Sequence, residues 1–401
     1  MSATTNADVV ATAPAATTDW LEQAGLLAVF GVAASLQFSI AIAQTLLALA
    51  IISWLALVVS RRERVEVPRF FWPLLAYGAA TLVSACFSAK PLISLVDCKQ
   101  LVLFLIVPLV YRFVTGNRGT TMITMTVTVG AASAAIGIFE YAVLHYNIDF
   151  RPRGTLGHYM TFSGLLMLVI GCALARIIFG KRDRLWATLV MPALAFAVAL
   201  TFTRSAAVGA CAAAALLFAL KDFRLVAIVP VALALLVAVA PGEINKRFAS
   251  TFDMNDPTVR DRTAMLREGE HMIAAHPLVG VGPNMVEELY AQYRDPGAVN
   301  AVNPHLHNVP LQIAAERGLP ALAIWVVFIG ILLRDLMRAF KNPQQRVLAA
   351  AALAAVVSML GAGMFEYNFG DSEFLMLFLI LVTLPFAAAR ALLPGPGHSP
   401  A

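Results

Sequence analysis

Residues 185–220 read LWATLVMPALAFAVALTFTRSAAVGACAAAALLFAL, and Arg204 is their single charge. A helix that crosses a bilayer needs about 20 apolar residues. The stretch is therefore long enough for two spans, and Thr203-Arg204-Ser205 is where it has to fold back. The reading that follows is a membrane protein. Composition agrees: 60% of the chain is hydrophobic and only 13% charged, against about 25% charged in ordinary soluble domains. A water-soluble fold of this composition would expose large apolar patches. The net charge of +5 is no nucleic-acid signal, because the Lys and Arg residues sit in short clusters between apolar runs and form no basic stripe.

Outward from this hairpin the same pattern repeats. Leu26–Ser60 is a second double-length run, folding back near Gln37–Ile40. Phe71–Phe87, Leu101–Val114, Thr120–Leu144, Tyr159–Phe179 and Leu225–Ala240 are single spans, followed by Val309–Leu333, Val347–Phe365 and Phe374–Leu393. The expected fold is an all-α polytopic membrane protein of about twelve transmembrane helices, with one large, partly helical periplasmic loop between spans nine and ten. The expected organisation is a disordered cytoplasmic N-terminus (1–24), spans one to nine (25–240), the large loop (241–308), spans ten to twelve (309–393) and a cytoplasmic tail (394–401). Residues 1–19 carry no Lys or Arg, so they lack the basic region of a secretory signal.

Basic clusters give the orientation. Arg61-Arg62-Glu63-Arg64, Arg112 with Arg118, Lys181 with Arg182 and Arg184, Lys221 with Arg224, and Arg334 with Arg338 follow even-numbered spans. Those ends are cytoplasmic by the positive-inside rule, which puts residues 241–307 outside, in the periplasm of a bacterium. Arg151, Arg153, Arg204 and the arginines of the loop break that rule and so ask for another role. The four cysteines, Cys86, Cys98, Cys172 and Cys211, have no zinc spacing. Free thiols are expected, although Cys86 and Cys98 could meet at one face.

The long polar island from Pro241 to Gly318 gathers the chemistry. An arginine in the tight turn at Arg204 either faces a polar cavity or snorkels to the headgroups. Arg262 begins a short helix that runs to His276-Pro277. Its guanidinium fork matches phosphate oxygens, or it is a solvated charge paired with Asp261 or Glu268. Pro277-Leu278-Val279-Gly280-Val281-Gly282-Pro283-Asn284 lacks the full dinucleotide fingerprint and is a structural corner. Asn308 is a good N-cap for the helix begun by Val309-Pro310. His307 would then stand at that helix's positive end, where dipole and arginines favour a neutral imidazole able to act as a base; the bland reading is an interfacial histidine bonded to a carbonyl. His305 competes with it. Metal binding is not expected, since His305 and His307 are two apart with no acidic third ligand nearby in sequence. No cofactor is expected either. Glu366, Asp371 and Glu373 lie between the last two spans, also on the outer face; pairing with the arginines, acceptor binding and a plain solvated hairpin stay open, and no role is assigned among them.

The ordered set Thr203-Arg204-Ser205, Arg262 with the downstream Pro277–Pro283 corner, and His307-Asn308 followed by Glu316-Arg317-Gly318-Leu319 resembles the O-antigen ligase and polymerase superfamily. The stretch Arg153-Gly154-Thr155-Leu156-Gly157-His158 resembles an outer loop of the same family. The resemblance covers roughly residues 150–370; Leu266 departs from it, where members often carry Trp. It implies an inverting, metal-independent glycosyltransferase that uses undecaprenyl diphosphate-linked polysaccharide as donor and, for a ligase, lipid A-core as acceptor. It also implies His307 as the base and Arg204 and Arg262 on the diphosphate, with Arg153, Arg267, His305 and Asn308 as further substrate-binding candidates. The alternatives are an O-antigen polymerase, a protein O-oligosaccharyltransferase and, in a different class, a polysaccharide-lipid transporter. The transporter is disfavoured by span interiors nearly free of ionisable residues; Glu140 lies towards one end of its run.

Overall fold

The computed structural model describes residues 19–147, 149–239, 242 and 256–390. The described residues form helices and no strands. The first hairpin is α1 (Trp20–Ser35) and α2 (Ile40–Arg61), followed by α3 (Phe71–Cys86). A bent element comes next, made of α4 (Pro91–Asp97), a 3-10 stretch (Cys98–Leu105) and α5 (Ile106–Phe113). Then come α6 (Arg118–Ala142), α7 (Tyr159–Phe179), α8 (Arg184–Leu200), α9 (Arg204–Lys221) and α10 (Ile228–Val239). A polar cap holds α11 (Pro257–Ala275) and α12 (Met285–Tyr293). Three helices close the chain: α13 (Val309–Lys341), α14 (Arg346–Gly363) and α15 (Ser372–Ala389).

Eight helices are long and apolar enough to cross a membrane by length and composition. Four shorter apolar helices, Trp20–Ser35, Phe71–Cys86, Arg184–Leu200 and Phe223–Leu235, stand where the sequence pattern expects the remaining spans. Both double-length runs break where expected, between Ser35 and Ile40 and between Leu200 and Arg204. Other boundaries move. Helix α1 begins at Trp20, capped by the Asp19 carboxylate, inside the stretch read as tail. The fourth span begins at Pro91, not Leu101. Asp97 and Lys99 lower its hydropathy, and its first turns are tied instead to the cap, where the buried Ser94 hydroxyl donates to the Pro283 carbonyl. The four cysteines are free, Cys86 and Cys98 included. The readings for 1–18, 243–255 and 391–401 lie outside the described residues.

The centre of the bundle is α7, α14 and α15, the most deeply buried of the long helices. Small residues let them approach. A side chain at Gly209 of α9 would meet the Ser358 carbonyl of α14 at 2.7 Å, so the Ala-rich run of α9 serves close helix packing.

The cap has a small apolar core of its own: Met265, Met272, Val281, Met285, Val286, Leu306 and Ala315. Its loop is gathered by one carboxylate. Asp261 accepts from the backbone N–H groups of Val299 and Asn300 and from the amides of Asn300 and Asn303. The expected corner is there, and it fits into a break in α13. Gly318 leaves helical geometry at φ 83. Around it the N–H groups of Val281, Gly282 and Leu319 donate to the carbonyls of Ala315, Glu316 and Pro277. The cap is thus hydrogen-bonded into α13 where that helix is interrupted.

Candidate active site

Three helix N-termini and the loop that leads into a fourth open on one polar pocket of about 220 Å³. Its lining includes His158 and Thr161 at the start of α7, Ser205 at the start of α9, His305 before α13, and Glu366 and Asp371 before α15. Helix N-termini carry partial positive charge and donate N–H groups, so their convergence suits an anion. Three of the four are capped by their own side chains: α7 by the His158 imidazole, α13 by Asn308 and α15 by Asp371. Thr203, at the head of α9, makes no side-chain cap.

His307 has a left-handed backbone, φ 49. Its neighbours hold it there. The N–H of Leu306 donates to the Gln312 side chain at 2.7 Å. The Asn308 carboxamide accepts from Leu311 N–H at 2.9 Å and donates to the Met364 carbonyl at 3.2 Å. The ring is thereby aimed at Glu366, with Nδ1 3.0 Å from Oε2. His305 reaches the same carboxylate, its Nε2 3.7 Å from Oε1, and its ring meets that of His307 edge-on at 4.1 Å.

Burial works against the charge on Glu366, but the hydrogen bond from His307 and the two imidazoles outweigh it and hold the carboxyl below its ordinary range. Burial and the neighbouring His307 push His305 down to about 4. Burial also lowers His158 and raises Asp371, whose carboxylate accepts from Thr161 Oγ1 at 2.5 Å.

The arginines divide. Arg204, 16% exposed, has Nη2 3.7 Å from Asp256, the residue that caps α11. Arg262 is half-buried on α11 and near enough to depress His305 by its charge. Arg204 also lies at one end of an apolar cavity of about 820 Å³ between α7, α8, α9 and α10, lined by residues such as Leu174, Phe196, Phe202, Phe218 and Leu233. Thr203 and Arg204 line that cavity; the next residues, Ser205 and Ala206, line the polar pocket. The head of α9 thus presents successive residues to both spaces, which lie on different faces of the helix.

Arg267, Arg153 and Asn308 stand apart from this arrangement. Arg267 is 60% exposed and faces Asp295 at 3.6 Å. Arg153 is exposed, and its backbone N–H is held by Glu140 at 2.9 Å. Asn308 uses both ends of its amide within the protein. Glu366, His158, Thr161 and Asp371 are the site residues that sequence reasoning left without a role. No local signal gives Glu366 one, for it meets His307 only in the folded chain.

Residues 189–326 match the family model described as O-antigen ligase. This segment of the chain is similar to O-antigen ligases. The match supports its place in the O-antigen ligase/polymerase superfamily, and no curated protein matches the chain. The matched segment begins within α8 and ends within α13, so it contains Arg204, Arg262, His305 and His307 but neither His158 nor Glu366. The family implies a membrane glycosyltransferase-like enzyme working on lipid-linked polysaccharide and lipid substrates.

Proposed function

We propose that the chain is an O-antigen ligase of the bacterial inner membrane, moving polysaccharide from undecaprenyl diphosphate to lipid A-core with its site on the periplasmic face. The observation that carries this reading is the run of residues 203–206, which lines both spaces. A lipid diphosphate-sugar has an apolar tail, a charged bridge and a polar head. The apolar cavity suits the tail and the polar pocket suits the sugars, which leaves the diphosphate at the head of α9. Arg204 stands there, together with the N–H groups that Thr203 does not cap, and Arg262 approaches from the cap.

The chemistry follows from the His307–Glu366 pair. With Nδ1–H donated to Glu366, the lone pair of His307 is on Nε2, the atom that takes the proton from an acceptor hydroxyl. The hydroxyl oxygen attacks the anomeric carbon from the face opposite the phosphate. The glycosidic C–O bond to the diphosphate breaks, its electron pair leaves with the diphosphate, and the configuration inverts. Glu366 stabilises the imidazolium that forms, as carboxylates do for catalytic histidines. Arg204 and Arg262 offset the charge that develops on the leaving group.

His307→Ala tests the assignment: transfer is lost while the protein still inserts, and an unchanged lipopolysaccharide ladder in cells would refute it. A deletion strain separates ligase from polymerase. Accumulated full-length lipid-linked polymer supports the ligase, and single capped repeat units support the polymerase.

A further inference from the structure

We propose that His305, His307 and Glu366 form a binding site for a zinc-class divalent cation, and that filling it switches the transferase off. The switch rests on the reading of His307 as the base; the site itself does not. Each of the three residues offers a ligand atom within 4.8 Å of the others. Donor atoms around a tetrahedral zinc, bound at about 2.0–2.1 Å, stand roughly 3.3 Å apart. The His307 Nδ1–Glu366 Oε2 and His305 Nε2–Glu366 Oε1 separations, 3.0 and 3.7 Å, straddle that value, each to a different carboxylate oxygen, so side-chain rotation within the cluster is what brings the three donors onto one cation. Two imidazoles and one carboxylate are also a donor set of zinc enzymes, with a fourth position left open. Glu366 and His305 line the polar pocket, from which a fourth ligand would come.

The cluster is held in place without a metal. His307 is fixed between the Gln312 and Asn308 contacts, and Glu366 Oε1 accepts from Tyr367 N–H at 3.1 Å. Among the described residues, the ion-pair partners of Glu366 are the two imidazoles, with no lysine or arginine on it. His305 Nδ1 is buried and makes no hydrogen bond, so no bond at Nδ1 fixes which ring nitrogen carries the proton. Imidazole donors select zinc and its transition-metal neighbours over magnesium or calcium, which take oxygen.

The inhibitory sense comes from the tautomer. In the metal-free pair the single ring proton of neutral His307 is on Nδ1, donated to Glu366, and Nε2 has the lone pair. A cation bound at Nδ1 requires the lone pair there, so the ring proton moves to Nε2. The ring holds one proton before and after, but Nε2 has changed from acceptor to donor and cannot take a proton from a hydroxyl. The carboxylate that stabilised the imidazolium is at the same time committed to the cation.

The test uses the purified full-length protein in detergent, with cobalt(II) as a spectroscopic stand-in and zinc(II) as competitor. One equivalent of cobalt per chain is expected, with a visible band typical of four-coordinate nitrogen and oxygen donors, displaced by zinc and not by magnesium. His305→Ala and Glu366→Ala should each weaken binding tenfold or more. His305→Gln, a polar replacement, should do the same with an unchanged melting temperature, which separates lost ligation from lost folding. Transfer from a lipid diphosphate donor should fall as zinc fills the site and return on chelation. Absence of saturable cobalt binding, or binding that survives all three substitutions, overturns the site. Saturable binding with transfer unchanged or stimulated by zinc overturns the switch. A chelated protein that transfers nothing removes the base reading and the switch with it, while the cobalt titration still decides the site.

Discussion

His307 and Glu366 are 59 positions apart in the chain and 3.0 Å apart in the fold. The histidine comes from the end of the cap and the glutamate from the short connection between α14 and α15. Their meeting makes a loop histidine half of a carboxylate–imidazole pair.

Glu366→Gln therefore predicts a loss of function through His307. The introduced carboxamide can still accept the Nδ1–H hydrogen bond, but being neutral it cannot stabilise an imidazolium. Transfer should fall by about a hundredfold or more, the lower end of what positioned acid–base groups contribute. The loss should be in kcat rather than KM, and the pH-rate profile should move. A residue that only supports the fold would leave the profile in place, and Glu366→Asp should recover part of the rate. An unchanged profile in Glu366→Gln would rule out the pairing as the source of basicity.

Arg204→Lys predicts that charge alone is insufficient. The guanidinium offers a planar fork for two phosphate oxygens, while an ammonium is a point donor. Transfer should drop on the order of a hundredfold to a thousandfold, the scale for losing one preorganised donor to a developing anion. Insertion and expression should be unaffected, since Lys snorkels as readily as Arg. Near-normal transfer by the lysine variant would show that Arg204 serves only the headgroup region.

The membrane class, the two tight reversals and the N-cap at Asn308 were legible because each depends on residues close in sequence: an apolar run, a break in it, an amide before Val309-Pro310. Arg204 and Arg262 could be nominated on the same grounds, as charges out of place in an apolar chain. Glu366 could be seen but not assigned, because what gives it a role is a contact made only after α13 and α14 have packed. The beginning of the fourth span was missed for a related reason. Asp97 and Lys99 look like loop residues until the cap supplies partners for that end of the helix. The Gly280-Val281-Gly282 corner was legible as a turn, but not its fit into the broken α13.

That fit predicts a steep cost for small substitutions. A Cβ at Gly318 would lie 2.3 Å from the Leu278 carbonyl oxygen, and one at Gly280 would lie 2.2 Å from the Glu316 carbonyl carbon. Both glycines also have positive φ, 83 and 68. The positive-φ backbone alone costs an alanine roughly 1–3 kcal/mol; the clash with backbone, which cannot rotate away, adds to it. Gly318→Ala and Gly280→Ala should each release the cap from α13, seen as faster limited proteolysis within 256–308 with the spans still protected. Transfer should fall with them, because His307 is positioned from this cap. Gly157→Ala is the control, since a Cβ there meets nothing within 4 Å.

The cap also holds a carboxylate that works against it at neutral pH. Glu268 is buried on α11; its Oε1 accepts from Asp295 N–H at 2.9 Å, and its Oε2 is buried with no hydrogen-bond partner. Burial, reinforced by the charges of Asp261 and Asp295, raises its pKa in the folded protein, and the hydrogen bond from Asp295 N–H and the charge of Arg294 offset only part of that. A carboxyl whose folded pKa is raised holds its proton more tightly folded than unfolded, so stability falls as pH rises through that window. Glu268→Gln keeps an acceptor for Asp295 N–H and removes the charge. It should stabilise the cap at pH 7 by sparing it a buried negative charge. The advantage should vanish below about pH 4, where the unfolded carboxyl is also protonated. Thermal unfolding of the two full-length proteins followed from pH 4 to 7.5 decides it: melting temperatures that diverge with rising pH support the assignment, and parallel curves would show that Glu268 is as comfortable charged in the cap as in water.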